Sequence, residues 1–144
     1  MDHRHFLEDV DDQRVLQAIQ AAESRTTGQL RVFISHHDVK DALAAAKKQF
    51  RILKMTKTTA RNAILIFIAP KSRAFSVFGD VGIDQKCGAE FWQTLRDQIT
   101  AHLKDGRYTE ALIHAVTLAG AKLAEYFPAT TPPANELPDQ IAHD

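Results

Sequence analysis

The sequence is poor in three things. It has one cysteine, Cys87, in 144 residues. No internal disulfide can form, so a reducing compartment, the cytoplasm, is the expectation. It has no long apolar run. The longest is the seven residues Ala63–Ala69, against about 20 needed for a membrane-spanning helix. The start of the chain carries Asp2 and Glu8 and no apolar core, so it does not read as a secretory signal. Net charge is also missing, with 18 basic and 18 acidic residues. That balance argues against a general nucleic-acid binder.

A fourth absence is local. No acid occurs between residues 42 and 79, a stretch that holds Lys47, Lys48, Arg51, Lys54, Lys57, Arg61, Lys71 and Arg73. The surrounding segments are net acidic, so the folded chain should carry a basic region between acidic flanks.

The remaining pattern is that of one α/β domain. Asp11 or Asp12 can cap a helix burying Val15, Leu16, Ile19 and Ala22. Residues 29–35 alternate, with Leu30, Val32 and Ile34 on one face and Arg31, Phe33 and Ser35 on the other, as in a strand. Asp38 can cap a second helix with Leu43, Ala46, Phe50 and Leu53 as its buried arc. On its wheel Lys47, Arg51 and Lys54 share the flank beside that arc. Ala63–Ala69 is apolar throughout, which predicts a central strand covered on both faces. A turn at 70–73 returns the chain in a hairpin strand. Two helices follow, one burying Trp92, Leu95, Ile99 and Leu103, the other spanning 109–126. Pro128, Pro132, Pro133 and Pro138 mark residues 129–144 as a disordered tail. The domain is then 10–128, after a flexible N-terminus at 1–9. The expected fold is an αβα sandwich, a small mixed sheet of parallel strands plus one antiparallel hairpin strand between helical layers.

Several segments, taken together and in order, resemble the TPM domain. They are Thr27-Gly28-Gln29-Leu30-Arg31-Val32, Lys57-Thr58-Thr59-Ala60-Arg61-Asn62-Ala63-Ile64-Leu65-Ile66, Phe78-Gly79-Asp80-Val81-Gly82-Ile83 and Phe91-Trp92. The resemblance implies the same αβα sandwich. It also implies a link to photosystem II repair proteins, with acid phosphatase activity and calcium binding attributed to some relatives. The family has Glu where this chain has Gln29, and Gly where it has Ala63. Loss of a carboxylate at residue 29 weakens any hard-cation site, so Ca2+ or Mg2+ is expected to bind weakly at most.

Four residues stand out as ligand candidates. Asp80 lies between Gly79 and Gly82 past a strand end, and could hold a cation or serve its own turn. Arg61 could clamp an anion, and Asn62 could supply a carbonyl ligand. Gln29 is the weakened family position. Asp84 reads as a helix cap, Cys87 as a small buried hydrophobe and Trp92 as core. His36 and His37 border the carboxyl end of a strand but point to opposite faces if the strand persists.

No dedicated nucleophile is visible. The expected function is therefore a non-catalytic or weakly catalytic accessory domain. It would bind an acidic protein surface or a small anion, with Lys47, Arg51 and Lys54 as the partner surface. The rival reading is a metal-assisted acid phosphatase, with Asp80 on the metal and Arg61 on the phosphate.

Overall fold

A computed structural model describes residues 10–129 and 141–144. The reading of 1–9, and that of 130–140 as tail, lies outside the described residues. The chain runs α1 (Asp12–Glu23), β1 (Gln29–Ile34), α2 (Ala42–Ile52), a 3-10 turn (Met55–Lys57), β2 (Ala63–Ala69) and β3 (Ala74–Gly79). It continues through α3 (Val81–Cys87), α4 (Ala89–Lys104), α5 (Tyr108–Tyr126) and β4 (Ile141–His143).

The sheet order is β3-β2-β1-β4. β1 runs parallel to β2 and β4, and β3 is antiparallel to β2. This is the mixed sheet that the pattern predicts. β2 lies inside the sheet and all seven of its residues are buried. Leu30, Val32, Ile34, Ile64, Ile66 and Ile68 face one core, shared with α1, α4 and α5. Phe33, Leu65 and Phe67 face the other, capped by Ala46 and Phe50 of α2. The helical layers are thus unequal: three long helices on one face, one on the other. α1 and α5 cross closely, since a Cβ on Gly120 would stand 2.6 Å from the Ala22 Cβ. Only glycine allows that approach.

Four expectations need correction. The disordered tail does not extend to the last residues, because Ile141–His143 pair with Val32–Ile34 as a fourth strand. Three short residues with little periodicity acquire a strand from the β1 edge rather than from their own pattern. The second helix is capped by Asp41, whose carboxylate accepts from the Ala44 N–H at 3.1 Å, not by Asp38. The helix reaches only Ile52, and Leu43 is 46% exposed, because the buried arc centres on Ala46 and Phe50. Lastly, Asp84 caps nothing. It lies inside α3, whose cap is Asp80, and accepts from the Trp92 indole N–H at 2.8 Å. The helix carrying Trp92 starts afresh after Gly88, at φ +79.

Candidate functional site

The loop before β2 is stitched together by its own polar groups. The Asn62 N–H donates to the Thr58 hydroxyl at 3.2 Å, and the Arg61 N–H to the Thr58 carbonyl at 3.2 Å. The Asn62 amide nitrogen reaches Thr27 Oγ1 at 3.4 Å. Its carbonyl oxygen Oδ1 is buried with no partner among the described residues. The loop also packs hard against the start of α3. The Gly82 N–H donates to the Arg61 carbonyl at 2.8 Å, and a Cβ at Gly82 would sit 2.0 Å from the Ala60 carbonyl oxygen. Glycine is required there by space.

This packing delivers Arg61 to Asp80. Arg61 Nε and Nη2 donate to the two carboxylate oxygens at 2.5 and 2.8 Å, a two-pronged charge-assisted pair. The same Asp80 Oδ1 accepts the Val81 N–H at 2.8 Å as helix cap. Asp80 is buried, while the Arg61 side chain is 46% exposed. The hydrogen bond that Arg61 donates to Asp80 raises the Arg61 pKa, against a smaller opposing effect of desolvation.

The sheet register adds Gln29. Gln29 pairs with Ala63, and the Asp80 N–H donates to the Ala63 carbonyl at 2.9 Å. Gln29, Ala63 and Asp80 therefore form one row across three chain segments, spanning two strand spacings, or about 9–10 Å. The two positions at which this chain departs from the TPM pattern flank each other in that row. As it stands the row does not fit a divalent cation. Gln29 brings no charge, and both Asp80 oxygens are engaged by Arg61 and Val81. Among the described residues no group of three or more His, Cys, Asp or Glu is arranged to hold a metal.

Other candidates lie elsewhere. His36 and His37 sit at the far end of β1, with the C-terminal residues. His36 Nε2 is 2.9 Å from His143 Nδ1, and the Asp144 carboxylate accepts from the Ser35 hydroxyl and the His36 N–H. Cys87 is half-buried and its thiol pKa is raised, chiefly by desolvation, with Asp84 and Glu125 adding and Lys122 opposing. It is no activated nucleophile. Two clefts, of about 370 and 440 Å³, run beside α5 on the outer helical layer, away from Asp80.

The basic region is fully displayed. All eight cations between residues 42 and 79 are exposed. Arg61 is paired with Asp80, and Lys71 approaches Asp38 at 3.9 Å. Lys47, Lys48, Arg51, Lys54, Lys57 and Arg73 form no ion pair among the described residues. Lys47 and Arg51 stand on α2. Lys54 is past the helix, in a left-handed turn at φ 58, so the wheel misplaces it. Arg61 and Arg73 also have φ 53. Among the described residues, the three non-glycine residues of positive φ are thus all cations of the acid-free segment. Sequence reasoning passed over Arg31, which is buried beside Gln29 with Nε unpartnered among the described residues. Desolvation lowers its pKa. Its signal is a lone cation inside an alternating apolar strand.

A family model described as the TPM domain matches residues 1–122. The chain belongs to the TPM domain family. The NMR structure of BA42 protein from the psychrophilic bacterium Bizionia argentinensis resembles this TPM chain at a TM-score of 0.85. Identity is 32%, over 92% of each chain. No curated protein matches. Among the described residues of this TPM domain, no helix is long and apolar enough to cross a membrane.

Proposed function

We propose that this TPM domain is a non-catalytic accessory module that binds an acidic protein partner through the basic surface of α2 and the turns around β2. The carrying observation is that Lys47, Lys48, Arg51, Lys54, Lys57 and Arg73 are exposed and form no ion pair among the described residues. Charges of one sign left unpaired raise the local potential and steer an opposite surface into contact. The αL turns at Lys54 and Arg73 support the same reading. Each keeps a cation where glycine would cost less backbone energy, and strain of this kind collects at functional sites.

The phosphatase reading has less behind it. It needs Asp80 free for a metal, and Asp80 is held by Arg61 and by its own helix. It also needs a charge at residue 29.

The test is the triple variant Lys47→Glu, Arg51→Glu, Lys54→Glu. All three positions are exposed, so the melting temperature should change little. A fluorescent oligoglutamate peptide should bind the wild type at about 0.02 M salt and weaken steeply above about 0.1–0.15 M, where screening sets in. The variant should lose that binding. Equal binding by both proteins, or binding indifferent to salt, would reduce the region to a solvated face.

A further inference from the structure

β3 is an outer strand of the sheet. The Asp80 N–H bond to Ala63 fixes which of its backbone groups are already used. Bonded residues alternate along an antiparallel pair, so Phe78, Ser76 and Ala74 turn their N–H and C=O inward to β2. Gly79, Val77 and Phe75 turn theirs outward. No backbone hydrogen bond reaches these outward groups from elsewhere among the described residues. β3 pairs with β2 over six consecutive positions without a bulge, and its sequence Ala-Phe-Ser-Val-Phe-Gly holds no charge and no proline. It thus lacks the devices that ordinarily blunt a sheet edge.

Cations surround this edge. Arg73 precedes the strand, and Arg61 grips Asp80 just after it. Phe78 packs edge-on against Phe50 of α2, at 4.9 Å between centroids, and Lys47 Nζ lies 5.9 Å over the Phe78 ring. The flank of α2 that carries Leu43, Lys47 and Arg51 is therefore the flank above β3. Leu43 is exposed on it. On the opposite side of the strand, Phe75 and Val77 belong to the larger core.

We propose that β3 accepts an extended acidic peptide as a fifth strand. This deepens the acidic-partner reading and rests on it. The peptide's backbone would bond the outward groups of Phe75, Val77 and Gly79. Its side chains alternate between faces. Acidic residues on the α2 side meet Lys47 and Arg51, and apolar residues on the other side extend the row of Phe75 and Val77. The preferred partner segment is thus an alternation of Glu or Asp with β-branched residues, taken from another protein.

The probe is the peptide acetyl-Glu-Val-Glu-Val-Glu-Val-Glu-amide, titrated into the full 15N-labelled chain at about 0.02 M salt, well below the screening range. Its control carries N-methyl groups on alternate residues, which keeps the charge and removes the ladder. At saturation the amides of Phe75, Val77 and Gly79 should shift and exchange about tenfold more slowly with solvent, the effect of one added hydrogen bond each. The N-methyl peptide should bind several-fold more weakly, and Lys47→Glu with Arg51→Glu should weaken the parent peptide. If both peptides bind equally and shifts are confined to Lys47, Arg51, Lys54 and Lys57, strand addition is wrong and the acidic-partner reading stands. If neither peptide binds, both readings fall.

Discussion

Gln29 and Asp80 stand at the two ends of one row across the sheet, with the methyl group of Ala63 between them. In this chain the row is neutralised from within, because the Arg61 guanidinium takes the place that a cation would occupy beside Asp80. Building a tight metal site in this row therefore takes two changes. Gln29→Glu supplies a charge, and Arg61→Asn frees Asp80 with a residue that tolerates the left-handed turn. Calcium titrated into the wild type should shift few amides, centred on residues 79–84, with affinity no better than about millimolar. Gln29→Glu alone should tighten it somewhat, and the double variant by about tenfold or more, since affinity follows ligand charge count. Micromolar binding by the wild type that survives Asp80→Asn would place the site elsewhere.

Lys54 and Arg73 separate stability from binding. Both are exposed and both hold positive φ. Lys54→Gly and Arg73→Gly should each stabilise the fold by up to about 1 kcal/mol, the cost of a Cβ in that region. Each should also weaken oligoglutamate binding. Thermal melts and anisotropy titrations of the same samples check the pair of effects. A glycine variant that gains stability and loses no binding would make its cation dispensable.

Among the described residues, His114 and Asp144 have shifted pKa values that act on the acid side of neutrality. Burial lowers the His114 pKa from 6.5, helped by His102, and His114 contacts Gln98 Oε1 at 2.6 Å. A base whose folded pKa is depressed costs stability as pH falls below its unfolded value, so a first loss should begin below 6.5. Asp144 behaves as an acid. Desolvation pushes its pKa up, but hydrogen bonds from Ser35 and His36, with the charges of His37 and His36, bring the net value below 3.8. Its contribution is present above 3.8 and lost as pH falls further, through the folded value. Melting temperatures across pH should show both steps. His114→Gln should remove the first. Asp144→Asn should remove the second and speed solvent exchange of the His36 amide. A flat profile from pH 7 to 4 would contradict the His114 assignment.

The layers of the fold were legible because they rest on periodicity. Leu30, Val32 and Ile34 against Arg31, Phe33 and Ser35 gave β1 with its two faces, and the unbroken Ala63–Ala69 gave a buried β2. Turn chemistry was less legible. Asp38 and Asp41 are equally good caps as residues, and it is Asp41 that stands directly before the first helical residue, Ala42. Asp80 serves its own turn, one of the two roles its sequence setting offers, as the cap of α3, whereas Asp84, which reads as a cap, serves Trp92 instead. The pairing of Arg61 with Asp80 depends on the close seat of Gly82 under the loop, which no local pattern records. β4 was invisible for the same reason, since its partner Val32–Ile34 lies far away in the chain.

That distance has a kinetic meaning. The contacts that set β1 beside β2 span a shorter stretch of chain, as in Asn62 to Thr27, 35 residues apart. Those that seat β4 are not: Ser35 and Asp144 are 109 residues apart. Closing the longer loop costs more chain entropy, and three paired residues return little for it. The strand should therefore add after the rate-limiting step, once β1 is already fixed. Substitutions at Ala142 and Asp144 should leave the refolding rate almost unchanged and act on the unfolding rate instead. The last strand in the chain would then be the last to arrive and the first to leave, a lock on a fold already assembled.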